Sequence, residues 1–190
     1  MLHHLHRLAL DIGGDHDLQF RDDVARLTAL LEQVVSGYVG VVITIVHTGH
    51  PIVLTVLHQN GSPAVTSVGV RLTAVSTAFD GDSRAVVYSG TPGSLVDLAA
   101  DLTYALTAPG DTDATTGAGT PVELDADLPF TATESTFTGL DELATIHRAV
   151  GYLIDRGHHP DIAADTLQGH ASAAGLTTHA FAIQLLSPEP

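Results

Sequence analysis

A chain of 190 residues with 44% hydrophobic content is long enough to bury a core and too apolar for global disorder. Its 22 acidic residues outweigh 7 basic ones, all arginine, for a formal charge of −15; such a field repels phosphate backbones unless the arginines gather on one face. Cysteine is absent, which excludes disulfides, thiolate metal sites and thiol catalysis.

Residues 1–16 read as an N-terminal tail. The opening Met1-Leu-His-His-Leu-His-Arg7 has neither the apolar stretch nor the cleavage site of a secretory signal. No run approaches the length of a membrane span, and the best one, Val39–Val46, is interrupted by Thr44 and is strand-like. A soluble, cytoplasmic protein without membrane contact is the resulting expectation.

From Asp17 to Ser36, Leu18, Val24, Leu27, Leu30, Leu31, Val34 and Val35 recur at helical spacing, with Asp22, Asp23 and Glu32 between them and Gly37 at the stop. The β-branched runs Gly40–Val46 and Ile52–Leu57 flank His47-Thr-Gly-His-Pro51, a hairpin pattern in which Gly49 permits the turn. Gln59-Asn60-Gly61 marks a further turn. Ala64–Leu72 has high β propensity, a loop around Phe79–Ser83 follows, and Ala85–Tyr88 is a fourth strand. After Thr91-Pro92-Gly93-Ser94, the residues Leu95, Leu98, Ala99, Leu102, Ala105 and Leu106 describe a second amphipathic helix. The predicted arrangement for residues 17–106 is helix, four strands, helix: an antiparallel sheet flanked by helices, of the α+β class.

Residues 107–137 read as a linker and covering segment. Thr107–Gly119 has the Thr, Ala, Gly and Asp content of a linker, whereas Val122, Leu124, Leu128 and Phe130 allow the rest to drape over the sheet or lead into the last module. Residues 138–190 carry three helical patterns. Leu143, Ile146, Val150, Leu153 and Ile154 mark the first, from Leu140 to Asp155; Gly157–Pro160 ends it and starts the second, with Pro160 suited to a first turn. The second holds Ile162, Ala163, Thr166, Leu167 and Ala171 and stops at Gly175. Thr177 or Thr178 caps the third, which holds Ala180, Phe181, Ile183, Leu185 and Leu186. Connections this short require a small three-helix bundle.

Twelve histidines raise the question of metal. His47 and His50 share one turn, and His158, His159, His170 and His179 belong to the last module. Zinc wants three or four converging ligands, and no carboxylate stands at a motif spacing, so no metal and no cofactor is expected. Protonation of the last four would reduce the module's negative charge, a route to pH response. Asp80-Gly-Asp82-Ser83 and Asp111-Thr-Asp113 lack the later bidentate Glu of a calcium loop and read as turns. No G-x-S-x-G elbow and no phosphate-cradling glycine loop followed by lysine is present, so no enzyme is expected.

The run Ile146-His-Arg-Ala149-Val-Gly151-Tyr-Leu153-Ile154, followed by Ala163, Leu167 and Ala171 and then by Leu176 and Ala180, resembles the ANTAR domain, the RNA-binding antiterminator module of bacterial regulators. Ala149 and Gly151 are small enough to let neighbouring helices approach. Residues 17–106 resemble a shortened GAF domain, the usual partner ahead of ANTAR in actinobacterial regulators. The resemblance lies in Thr66–Leu72 and in Ala85–Tyr88 through Pro92 to Leu95. Only Asn60–Pro63 stands where a full GAF domain carries the long insert that roofs its ligand pocket, so little pocket is expected and ligand sensing is not carried over.

The resemblance implies a homodimeric transcription antitermination regulator that binds RNA stem-loops and not DNA, with Asp17–Ser36 and Leu140–Asp155 as association surfaces. Arg148 and Arg156 would meet phosphate and Tyr152 would stack on a loop base; spacings of four place them on one helix face. The match departs from the family pattern at Val150, where a lysine is common. Asp141, Glu142, Asp155, Asp161, Asp165 and Glu189 outnumber the module's two arginines. A dimerisation or protein-interaction module that has lost RNA binding is the alternative.

Overall fold

The computed structural model describes residues 17–47, 49–58, 62–75, 81–107 and 121–187; the side chains of 17–21 are not part of that description. The predicted tail 1–16, the Gln59–Gly61 turn, Asp80, Asp111–Asp113 and all of the predicted linker after Thr107 lie outside the described residues.

Among the described residues are five α-helices and six strands. Helix α1 (Asp17–Val34) precedes strands β1 (Tyr38–His47), β2 (His50–Leu57), β3 (Thr66–Arg71) and β4 (Arg84–Ser89), and helix α2 (Val96–Thr107) follows them. Strands β5 (Val122–Leu124) and β6 (Thr136–Thr138) lead to α3 (Leu140–Asp155), α4 (Pro160–Ala173) and α5 (Thr178–Leu186). One sheet contains all six strands in the order β5-β3-β4-β1-β2-β6. The pairs β1/β4, β3/β4 and β3/β5 run antiparallel. The protein is thus α+β, as the alternation of helical and β-branched patterns requires.

The register explains the core. Val41 faces Val87 and Ile43 faces Ala85 across β1 and β4, while Val68 and Val70 continue the same rows on β3. With a side-chain period of two, these residues share one face of the sheet. Leu27 and Leu31 of α1, with Leu95 just before α2 and Ala99 in its first turn, bury against it. The intervening residues Val39, Val86 and Tyr88 form a separate cluster on the other side, packed by Leu128 and Phe130. The segment after Pro121 therefore does two things: it covers that second face, and it supplies both edge strands. Three-residue strands such as β5 and β6 carry no readable period, which is why the sequence shows only the covering role. The Thr66 hydroxyl donates to Asp125 Oδ1 at 2.7 Å and the Ser67 hydroxyl to the Ala126 carbonyl, fixing the chain as it leaves β5.

The expectation of little pocket is corrected here. On the second face, between β1, β2 and the 130–135 segment, lies a cavity of about 570 Å³. Its outer wall comes from residues after α2.

The chain divides into two compact units. One holds α1, β1 as far as Ile45, and Leu54–Thr136; the other holds Val46–Val53 and the chain from Phe137. The tip of the first hairpin thus groups with the three C-terminal helices. Within this helical unit, Ile146, Ala149, Leu153, Ala163, Leu167 and Ala182 form the buried cluster, with Val150, Phe181, Leu185 and Leu186 packed against it. Gly139 opens α3 at φ 95°, and a Cβ there would stand 2.5 Å from the Pro51 carbonyl oxygen, so only glycine fits. Pro160 is in the first turn of α4, and Thr177 caps α5 by accepting from the Ala180 amide at 3.1 Å. Ala149 is completely buried, as its proposed role in close approach demands. Gly151 is not at such a contact: a Cβ on it would meet nothing within 4 Å. It lies off the packed stripe, and the close approaches are made by alanines.

Candidate functional site

Helix α3 buries Leu143, Ile146, Ala149 and Leu153, a stripe at three- and four-residue spacing. Arg148 and Arg156 fall off that stripe and are exposed; Tyr152, between them, is half-buried. The three predicted site residues lie two turns apart from end to end on α3 and its C-cap.

The structure brings two of them into direct contact. The Arg156 guanidinium carbon stands 4.7 Å from the centroid of the Tyr152 ring, and its Nη2 donates to the phenol oxygen. Arg156 is also the C-cap of α3, where a cation faces the helix's negative end. Arg148 turns the other way along the helix: Nε donates to the Ala144 carbonyl at 3.4 Å and Nη2 to Thr145 Oγ1 at 3.1 Å. Both sets of bonds are exposed and stay within one turn, so exchanging them for a phosphate disturbs no packing. The exposed carboxylates Asp141 and Asp155 belong to the same helix. Two guanidinium groups and one aromatic ring offer anion recognition and stacking.

Comparison with family models, with curated proteins and with solved structures finds no match to this chain.

Two contacts in the helical unit were not legible beforehand. His47, at the hairpin tip, meets His147 of α3 edge to face, with ring centroids 5.8 Å apart. His50 meets His179 of α5 at 6.2 Å, and its Nε2 is buried with no hydrogen-bond partner. Burial, and secondly the charge of His47, hold the His147 imidazole below its ordinary pKa. His47 and His147 are both exposed, whereas His50 is half-buried. His159 has a local role: its Nδ1 accepts from the Asp161 amide at 3.4 Å and caps α4. Among the described residues no group of three or more His, Asp or Glu side chains could hold a metal ion. No helix among them is long and apolar enough to cross a membrane.

Proposed function

We propose that the chain is an RNA-binding transcription antitermination regulator of the ANTAR type, with a shortened GAF-like sheet domain ahead of the RNA-binding helices. The observation that carries this reading is the solvent face of α3, where Arg148, Tyr152 and Arg156 combine two exposed cations with an aromatic ring. RNA loops are recognised by phosphate contacts together with stacking of unpaired bases on aromatic or guanidinium planes, and this trio has both parts. The three-helix unit built from the run Ile146–Ile154 supports the same reading. In this account the protein acts in the cytoplasm by binding and not by catalysis. It acts as a homodimer through apolar residues left exposed on α1 and α3, such as Val34, Leu140 and Ile154.

One observation favours a second reading, a dimerisation or interaction module without RNA. The charge of −15 opposes phosphate, and both arginines are already held within their own helix. A mobility-shift experiment with a two-hairpin RNA at low salt separates the two. The RNA reading expects a shift that Arg148→Ala and Arg156→Ala each weaken. No shift at any salt concentration, or one indifferent to both substitutions, leaves the interaction module.

A further inference from the structure

We propose that the cavity on the second face of the sheet is a binding site for a small organic amine, a molecule with a flat apolar body and a cationic end. At about 570 Å³ it falls in the size range of small-molecule sites. Its walls are apolar for the most part: Val39, Leu57, Pro63, Ala64 and Ala132, with Phe130 at the start of the 130–135 strap. The Phe130 ring is pinned from behind by Tyr88, stacked with centroids 4.0 Å apart and planes 22° from parallel. A pinned aromatic ring is a platform for a second flat group, since it loses no further freedom when covered.

The polar groups of the lining set the sign of the ligand. His58 offers Nδ1 to Glu32 Oε1 at 2.8 Å. With Nδ1 directed at the Glu32 carboxylate, His58 is held in place on the cavity wall. Glu134, exposed on the same lining, adds a carboxylate. Ser135 Oγ accepts from the Leu57 amide at 2.9 Å, tying the strap to β2. No arginine is among the described residues that line this cavity. Arg84 lines a smaller one of about 270 Å³ nearby, and its guanidinium is 2.9 Å from Asp127. A carboxylate or phosphate ligand would meet no arginine among the described lining residues, whereas an ammonium finds the Glu134 carboxylate and an acidic protein around it.

The test uses the full chain, which contains no tryptophan, so that indole fluorescence reports a ligand directly. Tryptamine and indole-3-acetate present the same ring with opposite charge. Titration followed by fluorescence anisotropy is expected to give saturable tryptamine binding in the millimolar range, normal for a fragment of this size, and none for indole-3-acetate. Glu134→Gln is expected to weaken tryptamine about three- to fivefold, the scale of an exposed ion pair. Ala132→Phe fills the cavity and should abolish binding; both positions are exposed, and Glu134→Gln alone decides if the larger residue disturbs folding. The proposal is overturned by absence of saturable tryptamine binding, by equal binding of indole-3-acetate, or by tryptamine binding that neither substitution alters.

Discussion

The two units differ in what fills them. The sheet unit buries many long and branched side chains, including Leu27 and Leu31 of α1, Val41 and Ile43 of β1, Val68 of β3, Leu72 just after β3 and Leu95 just before α2. In the helical unit alanines at 149, 163 and 182 make up half of the central cluster. Small residues bring helices close, yet each removes little apolar area from water, at about 25 cal/mol per Å². Stability in the sheet unit is distributed over many large side chains, and in the helical unit it is concentrated in Ile146, Leu153 and Leu167. The proposed RNA surface is thus carried by the unit with the thinner core.

The largest expected effect comes from cutting one of those side chains. Leu167→Ala and Leu31→Ala both remove a completely or almost completely buried leucine, at about 2–5 kcal/mol each. The comparison predicts different consequences: amide exchange across α3–α5 should rise towards that of an open segment for Leu167→Ala, whereas the sheet strands should stay protected in Leu31→Ala. Equal residual protection in both would remove the distinction. Ala163→Leu comes next. With no exposed surface at Ala163, the added carbons have nowhere to go, and thermal or denaturant unfolding should show a loss of about 1–3 kcal/mol.

Acidification acts on the helical unit through His147. Its folded pKa lies below the ordinary 6.5, so between the two values the unfolded chain holds a proton that the folded chain lacks. Stability therefore rises with pH through that window and is level above it. Unfolding followed from pH 7 to pH 5 should show the loss, and His147→Gln should flatten it. Tyr88 in the sheet unit is pushed up to about 12, mainly by burial, and contributes nothing over this range. The smallest effect is a gain. Gly151→Ala adds a methyl to open space inside a helix and should stabilise by about 0.5–1 kcal/mol. A loss on that substitution would restore the close-approach role that the structure denies it.

How much could be read in advance follows the same division. The boundaries of the three C-terminal helices are set by local chemistry: Gly139 at positive φ before α3 and Gly157 after it, Pro160 in the first turn of α4, Thr177 as the N-cap of α5. Such signals act within a few residues, so they are visible in sequence. The four long strands and α1 and α2 carry a period of two or of 3.6 for the same reason. Strands β5 and β6 do not, because three residues are too few to show a period and their pairing is decided by distant edges. The site divides likewise. Spacing alone placed Arg148, Tyr152 and Arg156 off the buried stripe of α3, but it could not show that Arg156 lies over Tyr152 while Arg148 bonds towards Thr145. The His47–His147 and His50–His179 contacts join positions more than 90 residues apart and have no local signature at all.

The most direct test of the central proposal is the salt dependence of RNA affinity. Each phosphate contact releases a counterion, so the slope of log affinity against log salt counts the cations engaged. Binding of a stem-loop RNA, followed by fluorescence anisotropy over a salt series, should weaken steeply for the unaltered chain. For Arg148→Ala/Arg156→Ala the slope should be shallower by about 1 per arginine removed. An unchanged slope, or no binding at the lowest salt, would contradict an RNA surface on α3.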